Sequence, residues 1–353
     1  MFVCVTRLQN QSQLLKKNIE LLRAEDISFS VPGMNRKVLD IRSLEVNPGT
    51  AVFVLGRNGA GKSSLLSFLG GYISVPEARI FWKGKELMPV SDRLIPGFQE
   101  MAMVKQNPDL SPFLRVEEEL LKTVRHLPDD LRRKKLKEII RLCHLKELLG
   151  QKTGNLSGGE KRRVALAQAL VLDTELILLD EPFSDLDTEN RLLFYPILLR
   201  AMQEKKVGFI VVSHDGEDAK WLADEIWTLV AGKIREKLKR TESGFQPRKA
   251  ITARLLGWQN ILPSRSLVTN KEESSLKSGW MHIPPPSIQI NEEGNVRLGL
   301  FELIRMWKQD SVTFCLWLNH RNQSLISTGT NPGIEVNSEC DLSANFNTLI
   351  ALE

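Results

Sequence analysis

The chain has 353 residues, of which 42% are hydrophobic and 26% are charged. This balance is typical of a folded globular protein, and it excludes a chain that is mostly disordered. The net charge of +5 is mild, and no apolar run is long enough to span a membrane. The four cysteines lie far apart and form no C-x-x-C pair, which disfavours a disulfide framework or a zinc ribbon.

The beginning of the chain predicts an extension followed by strands. Residues 1–23 form the extension, in which 14–22 have the pattern of a short amphipathic helix. Apolar and polar residues alternate over Ile27–Phe29 and, more loosely, over Val38–Val46, as in strands with one buried face. Ala51–Leu55 is a continuous apolar run between Pro-Gly and Gly, which predicts a strand buried on both faces.

The following segments alternate between helical and strand patterns. Apolar residues recur at helical spacing from Asp129 to Leu149, and Gly150 is the expected end of that helix. Leu176–Leu179 and Phe209–Val212 are apolar runs of strand length, and each follows a helical stretch. Because strands that alternate with helices are typical of α/β domains, we predict such a domain with a parallel sheet at residues 24–240.

The sequence changes character near residue 240. Residues 241–250 are polar and contain Gly and Pro, as linkers do. Beyond this linker the apolar pattern has a period of two, as in Val312–Leu318. Further strands are predicted over Val296–Trp307, Ser324–Ser327 and Phe346–Leu352. Several short strands at this spacing predict a small all-β domain at 251–353.

Residues 56–63 read Gly-Arg-Asn-Gly-Ala-Gly-Lys-Ser and match the pattern G-x-x-x-x-G-K-[ST]. The segment lies between a predicted strand and a helical run, which is the context in which this pattern binds phosphates. Glycines let the backbone N–H groups approach the β- and γ-phosphates closely. Lys62 adds a positive charge, and the Ser63 hydroxyl is placed for Mg²⁺. The alternative is a glycine-rich turn without a ligand.

Two further segments carry groups that suit phosphate chemistry. The run Leu176–Leu179 ends in Asp180, which can reach Mg²⁺ through water, and Glu181, which can polarise an attacking water. Residues 157–159, Ser-Gly-Gly, precede a helical stretch and form a second anion-seeking helix N-terminus. Because one nucleotide cannot easily use both termini of one chain, the second is predicted to face a partner's nucleotide. The alternative is a simple helix cap.

This ordered set of motifs resembles the ATPase subunit of ABC transporters over residues 24–235. Its parts are the Walker A loop or P-loop at 56–63, the Q-loop residue Gln106, the signature at 156–160, the Walker B strand at 176–181, the D-loop at 184–187 and the switch residue His214. The resemblance implies an α/β P-loop NTPase cassette with a helical signature subdomain. It also implies Mg²⁺-dependent ATP hydrolysis in a head-to-tail homodimer that holds two ATP molecules at its interface.

The resemblance assigns roles to individual residues. The groups expected to hold the nucleotide are Gly56, Arg57, Asn58, Gly59, Ala60, Gly61, Lys62, Ser63 and Ser64 of one subunit, with Ser157, Gly158, Gly159 and Asp187 of the other. The expected Mg²⁺ ligands are Ser63, Gln106 and Asp180. Glu181 is the expected general base, His214 is expected to contact the γ-phosphate, and Gln106 is expected to link Mg²⁺ to the segment 107–127, part of the region that receives a helix of the permease.

Some positions depart from the family pattern. Val31 stands where the family usually has an aromatic residue that stacks on adenine, and Phe29 is a poor substitute because strand alternation can point it inward. Arg57 stands where the family often has Pro or Ser, Ser64 where Thr is common, and Glu160 where Gln is common. None of these departures removes a catalytic group. The residue that holds adenine therefore stays open at this point.

Residues 255–263 resemble the entry to the β-barrel appendage, often called a TOBE domain, of importer ATPases for oxyanions, sugars and polyamines. The resemblance implies an OB-like or TOBE-like domain, and an unrelated small β-domain stays open as the alternative. A cassette chain without membrane helices and with such an appendage favours import. The expected protein is thus an ATPase subunit, peripheral on the cytoplasmic face of the membrane, that drives a separate permease and, indirectly, an external solute-binding protein.

Three aspects of function stay open at this stage. The solute is not specified, and molybdate, sulfate or another small solute fits the resemblance. The C-terminal domain could instead act as a ligand sensor that regulates transport. The other class of function is a soluble ABC ATPase of DNA repair or translation, which is disfavoured because the sequence contains one cassette and no coiled-coil insertion. The basic run at 132–137 suits the solvated face of a helix, so no nucleic-acid partner is expected.

Overall fold

The computed structural model describes residues 20–31, 37–184, 186–242 and 244–258, together with nine strands within 261–352. The chain divides into two compact units, residues 1–244 and 245–353. Among the described residues, no helix combines the length and the apolar character needed to cross a membrane. The predicted helix at 14–22 lies mostly outside the described residues.

The helices and strands of the first unit are, in chain order, β1 (Leu22–Ser30), β2 (Lys37–Val46), β3 (Ala51–Leu55), α1 (Lys62–Leu69), β4 (Arg79–Trp82), β5 (Lys85–Glu86), β6 (Met101–Val104), α2 (Val116–Val124), α3 (Asp129–Leu142), α4 (Gly158–Val171), β7 (Leu176–Asp180), α5 (Thr188–Lys205), β8 (Gly208–Ser213), α6 (Glu217–Leu222), β9 (Glu225–Val230) and β10 (Lys233–Lys239). Strands and helices alternate along most of this unit, as the sequence predicts.

The larger sheet of the first unit has the strand order β10-β9-β3-β8-β7-β6. Strands β9, β3, β8, β7 and β6 are parallel, and β10 is antiparallel to β9. Every residue of β3 and β8 is buried, which explains their continuous apolar runs. Because parallel strands end at one edge of the sheet, the segments after β3, β7 and β8 meet there.

The smaller sheet is antiparallel and has the order β2-β1-β4-β5. It corrects the predicted start of the cassette, because β1 begins at Leu22 and pairs Leu22 with Val46. Leu21 and Leu22 are fully buried in the main hydrophobic core. Residues assigned to the extension by sequence therefore belong to the sheet, since their apolar side chains complete the core.

A helical layer contains α2, α3 and α4, which contact one another. The helix predicted for 129–149 is too long, because α3 ends at Leu142. His144 has a φ of 52°, its N–H donates to Arg141 O at 3.3 Å, and Leu145 N–H donates to Ile140 O at 3.0 Å. This is the Schellman pattern of a helix end, and only a short 3₁₀ turn at Lys146–Leu148 follows.

The second unit begins with α7 (Ala250–Leu255), and every other described element in it is a strand. These strands are β11 (Ile261–Pro263), β12 (Val268–Thr269), β13 (Trp280–His282), β14 (Ile288–Ile290), β15 (Val296–Gln309), β16 (Val312–Leu318), β17 (Ser324–Gly329), β18 (Glu339–Ala344) and β19 (Ile350–Leu352). They pair in the orders β11-β13-β19 and β14-β18-β15-β16-β17, with β12 on β15. Of the strand predicted at 346–352, residues 346–349 lie outside the described residues.

Candidate active site

The P-loop joins the end of β3 to the start of α1, as its sequence pattern predicts. Gly61, the residue before the helix, has a φ of 102°, a conformation that side chains disfavour. A Cβ atom at this position would lie 2.7 Å from the backbone oxygen of Val38. The loop can therefore take this path only with glycine at 61, and the path keeps α1 close to β2.

The first turn of α1 is open to an anion. Gly61 has no side chain, and no side chain of the described residues caps this helix. The first N–H groups of a helix lack intrahelical acceptors, and the helix dipole makes this end positive. The N-terminus of α1 consequently offers donors and positive potential to a phosphate group.

Lys62, the first residue of α1, is only 6% exposed. Its Nζ atom donates to Gly56 O at 3.0 Å, and lies 3.3 Å from Oε1 of Glu181. A buried ammonium group needs partners of opposite charge, and here it has one carboxylate and the loop carbonyl oxygens of Gly56 and Arg57. Lys62 thus fixes a positive charge beside the P-loop and next to the residue that follows β7.

Asp180 ends β7 and lies opposite the start of α1. The Ser63 hydroxyl donates to Oδ1 of Asp180 at 3.1 Å. The pKa of the Asp180 carboxyl is raised above its ordinary value, mainly because burial disfavours the charged form. The hydrogen bond from Ser63 and the charge of Lys62 lower this pKa, and the charge of Glu181 raises it. A hydroxyl and a carboxylate at the mouth of a phosphate-binding loop are the ligand types that Mg²⁺ prefers. The donor set of this chain therefore fits a magnesium nucleotide.

Glu181 is held tightly although it lies at the end of a strand. Its φ is 46°, its N–H donates to Val212 O at 3.0 Å, and its side chain is largely buried. Oε2 of Glu181 lies 2.8 Å from Nδ1 of His214, which follows β8 and is about half exposed. The carboxylate is thus fixed between Lys62 on one side and His214 on the other.

Gln106 follows β6 and reaches the same edge of the sheet. Its Nε2 atom donates to Oγ of Ser184 at 3.4 Å, and Ser184 Oγ donates to Glu181 O at 2.9 Å. The guanidinium of Arg162, on α4, donates to the Gln106 backbone oxygen at 3.4 Å, to Ser184 O and, at 3.2 Å, to Ser184 Oγ. These contacts join the segments after β6 and β7 to helix α4.

Most of these groups border one cavity of about 590 Å³, but Asp180 and Arg162 do not line it. Its lining residues are Val31, Val38, Asn58, Gly59, Gly61, Lys62, Ser63, Ser64, Gln106, Glu181, Ser184 and His214. The structure therefore brings together the P-loop, Gln106, Glu181 and His214. Val31 is 37% exposed at the cavity, whereas Phe29 packs against the hydrophobic core, as strand alternation suggested.

Seven predicted nucleotide contacts do not line this cavity: Gly56, Arg57 and Ala60 of the P-loop, and Ser157, Gly158, Gly159 and Asp187. Ser157 and Gly158 are exposed at the start of α4, Gly159 is buried there, and Asp187 is exposed at the start of α5. Ser157 N–H donates to Oε2 of Glu160 at 2.8 Å, and Glu160 N–H donates to Ser157 Oγ at 3.3 Å. Within one chain, α4 therefore has its own capping box instead of a nucleotide contact.

The sequence did not identify Val38 and Arg162 as residues of the site, and it placed Ser184 in the D-loop without giving it a role. Val38 lines the cavity from β2, Ser184 receives the amide of Gln106, and Arg162 binds the backbone of both segments. The partners of Arg162 lie 56 and 22 residues away along the chain. Its only sequence signal is its position five residues after Ser157 on the helix that follows the signature.

The chain is similar to known proteins of one family. A model of the ABC transporter family matches residues 39–184. Over 285 residues the chain is 32% identical to the molybdate/tungstate import ATP-binding protein WtpC of Pyrococcus abyssi, covering 79% of this chain and 78% of that protein. It is 30% identical to the spermidine/putrescine import ATP-binding protein PotA of Borrelia garinii, covering 68% of this chain and 69% of that protein.

The fold matches a solved structure as well. CbiO1 of Clostridium perfringens, described as part of the ABC transporter complex CbiONQ, superposes with a TM-score of 0.55 at 23% identity, covering 62% of this chain and 88% of that one. At this identity the match supports the fold alone. Taken with the sequence relatives, it leads to one conclusion: the chain belongs to the ABC transporter family as an importer-type ATP-binding subunit, and it is an ATPase.

Proposed function

We propose that this chain hydrolyses MgATP in the cavity beside Lys62 and that hydrolysis energises solute uptake through a separate membrane permease. The observation that carries the proposal is the cavity itself, in which the P-loop, Gln106, Glu181 and His214 face one space of about 590 Å³. Each group in it has a chemical use in phosphoryl transfer to water.

The phosphates of ATP are held by the start of α1. The backbone N–H groups of residues 58–63 and the ammonium of Lys62 bind the β- and γ-phosphate oxygens. Ser63, Asp180 and Gln106 are the residues that would hold Mg²⁺. When bound, Mg²⁺ neutralises charge on the β- and γ-phosphate oxygens. The family binds ATP, and the hydroxyl–carboxylate pair at 3.1 Å supports magnesium as the accompanying ion.

Glu181 accepts the proton of the attacking water. Its carboxylate lies 2.8 Å from His214 and 3.3 Å from Lys62, so its orientation is fixed before the nucleotide binds. As the water oxygen attacks the γ-phosphorus, a proton passes to Glu181 and the bond to the leaving ADP oxygen breaks. His214 contacts the γ-phosphate and orients the water. Gln106 links the Mg²⁺ and the attacking water to residues 107–127.

Two chains complete each site. Residues 157–159 and Asp187 are placed away from the cavity of their own chain, and Ser157, Gly158 and Asp187 are exposed. In a head-to-tail homodimer they cover the ATP on the P-loop of the partner subunit. Two equivalent nucleotides then lie at one interface, since a twofold axis repeats every contact.

The transported solute is proposed from the relatives. Similar proteins are named for import of molybdate/tungstate, aliphatic sulfonates and sulfate/thiosulfate, which are oxyanions. We assign an oxyanion to this importer, with a polyamine as the second candidate because PotA proteins match over similar lengths. The chain works on the cytoplasmic face of the membrane, bound to its permease, and an external solute-binding protein delivers the solute.

The second unit is an all-β domain of the OB or TOBE type in this proposal. Apart from α7, its described elements are antiparallel strands in two sheets. A domain of this kind on an importer ATPase suits a regulatory role, in which a ligand changes the rate of transport. Residues 241–250 link the cassette, which begins with β1 at Leu22 and ends at residue 240, to the β-domain at 251–353.

Hydrolysis is tested on the purified full chain. We expect phosphate release that requires Mg²⁺, and expect EDTA or the substitution Lys62→Ala to abolish it. Lys134→Ala is the matched control, since Lys134 is an exposed residue of α3 that does not line the cavity. Hydrolysis that persists in Lys62→Ala at the rate of Lys134→Ala contradicts the proposed site.

Uptake is tested with the chain and a co-expressed permease in liposomes. We expect ATP inside the liposomes to drive accumulation of labelled molybdate or sulfate when the binding protein is present outside. Accumulation of spermidine instead selects the polyamine candidate. Accumulation of neither, with ATPase activity intact, rejects both solute assignments but leaves the hydrolytic site standing.

A further inference from the structure

Arg162 is a buried arginine on the signature helix that the roles given above do not use. It lies on α4 one turn after Gly158, and only 7% of it is exposed. Its Nε donates to Gln106 O at 3.4 Å, its Nη1 donates to Ser184 O and its Nη2 donates to Ser184 Oγ at 3.2 Å. All three guanidinium nitrogens thus point at the two segments that border the cavity.

The contacts of Arg162 with Gln106 and Ser184 lead to the reacting site. Gln106 and Ser184 line the cavity, and Gln106 donates through Nε2 to Ser184 Oγ at 3.4 Å. Ser184 Oγ in turn donates to the backbone oxygen of Glu181 at 2.9 Å. One short path of hydrogen bonds therefore connects the guanidinium of Arg162 to the main chain of the proposed general base.

We propose that Arg162 is a positioning residue for ATP hydrolysis, which fastens Gln106 and Ser184 to helix α4 and so sets the place of Glu181. The inference rests on the proposed function of this site. Arg162 does not line the cavity and does not touch the reacting atoms; it acts through the backbone and side chain of its two partners.

The chemistry of the contact requires arginine. A guanidinium is planar and presents several N–H donors in a fixed fork, whereas a lysine ammonium is a point charge on a flexible chain. One ammonium cannot reproduce simultaneous donation to Gln106 O and the two oxygens of Ser184. Burying the charge of Arg162 is costly. Removing the side chain takes away its hydrogen bonds to the carbonyl oxygens of Gln106 and Ser184.

The position of Arg162 on α4 has a second consequence. The same helix begins at Ser157, which in the proposed dimer faces the partner's ATP. Because α4 is a continuous helix from Gly158 to Val171, Arg162 ties the site of its own chain to the signature offered to the other site. Loss of Arg162 therefore lowers the cooperativity between the two ATP sites as well as the rate of ATP hydrolysis.

Arg163 provides a matched control within the same helix. It is buried to nearly the same extent, at 8% exposure, and its Nη1 donates to His144 O at 3.3 Å. His144 lies at the end of α3, and neither residue lines the cavity. A substitution at 163 thus reports what loss of a buried arginine does to α4 in general.

The experiment compares full-length Arg162→Met, Arg162→Lys and Arg163→Met with the wild type. We measure thermal unfolding, steady-state kcat and KM for MgATP, and the Hill coefficient for ATP. Because Arg162 acts on positioning, we expect Arg162→Met to lower kcat by about 10-fold or more with KM changed by less than about threefold. Arg162→Lys is expected to fall between Arg162→Met and wild type, and both are expected to lower the Hill coefficient. Arg163→Met is expected to keep kcat within about twofold.

The alternative outcomes are distinct. A smaller fall in kcat for folded Arg162→Met, a rise in KM without a fall in kcat, or an equal fall in Arg163→Met overturns the inference. Should Arg162→Met fail to fold, Arg162→Lys decides: wild-type kcat in that variant overturns the requirement for the fork. A wild-type chain without MgATPase activity contradicts the proposed function instead.

Discussion

Two helices of the first unit begin at glycine-rich segments, and their first turns are satisfied in different ways. Helix α1 follows Gly61, has no side-chain cap from the described residues, and starts beside the buried ammonium of Lys62. Helix α4 follows Ser157, which forms a capping box with Glu160 and is exposed. The first terminus is open and positive, whereas the second is closed by a carboxylate of its own chain.

This difference explains how one chain can carry two phosphate-seeking helix ends that do not compete for one nucleotide. An open terminus with a buried cation holds an anion alone. A self-capped terminus binds an anion only when Ser157 Oγ exchanges its 2.8 Å contact with Glu160 for the new ligand. The N-terminus of α4 therefore binds a phosphate only after Ser157 has released Glu160. This is expected of a group that contacts the partner's nucleotide only when the two subunits close.

The largest expected effect comes from removing the proposed general base while both helix N-termini stay intact. Glu181→Gln is expected to lower hydrolysis by about 10²–10⁴-fold, because the base is lost while phosphate and Mg²⁺ contacts remain. The trapped ATP should hold the two subunits together, which size-exclusion chromatography with MgATP detects. Glu204→Gln, at an exposed residue of α5, is the control. Wild-type turnover in Glu181→Gln removes that residue from the role of base.

Blocking the open terminus is the second test. Gly61→Ala places a Cβ atom 2.7 Å from Val38 O at a φ of 102°, and is expected to cost about 1–3 kcal/mol of unfolding free energy and to weaken ATP binding. Gly59→Ala has a φ of 76° but open space around its Cβ, so we expect a loss of about 1 kcal/mol. Urea unfolding of both variants measures the difference. Equal losses contradict the argument that the close approach to β2 matters.

The next test separates the contribution of adenine to ATP affinity from that of the phosphates bound at the open terminus. Val31 borders the cavity where the family usually has an aromatic ring, so the phosphates are expected to supply most of the affinity and ATP is expected to be only weakly preferred over GTP. Val31→Tyr should tighten ATP binding by up to about tenfold through stacking. Val31→Leu is the control without a ring. A strong preference for ATP in wild type, unchanged in Val31→Tyr, means that another residue holds adenine.

The smallest effect is expected from loosening the closed terminus. Glu160→Gln can keep the capping geometry, because Gln also accepts from the Ser157 N–H. It removes a negative charge that would face the phosphates of the partner's ATP, so we expect ATP-dependent dimerisation to tighten by about fivefold, or roughly 1 kcal/mol. Analytical ultracentrifugation in MgATP measures this change. Weaker dimerisation would contradict the view that Glu160 opposes engagement.

The parts of the site that depend on local sequence could be predicted. The P-loop combines its pattern with a flanking strand and helix, and β3, β7 and β8 are continuous apolar runs because both of their faces are buried. The parallel sheet then brings Asp180, Glu181 and His214 to one edge. Asp180 and Glu181 could be found from the apolar strand that precedes them, whereas His214 was assigned only through the resemblance to the ABC family.

The parts that depend on tertiary contacts could not be predicted. The end of α3 is set by His144 in a left-handed conformation, and a period of apolar residues that continues to Leu149 conceals it. Leu22 belongs to β1 because it pairs with Val46, which is distant in sequence. Arg162 looked like one of several basic residues on a helix, since its partners are known only once the sheet has formed.

In the proposed dimer, each site is built from the open terminus of one chain and the self-capped terminus of the other. Mixing Lys62→Ala with Ser157→Arg tests it most directly, because each variant alone lacks a required half in both sites. Random 1:1 mixing should give mixed dimers in which one site pairs intact Lys62 with intact Ser157, restoring about a quarter of the wild-type sites. We predict MgATPase activity in the mixture well above that of either variant alone. Activity no higher than that of the more active variant would contradict the shared site.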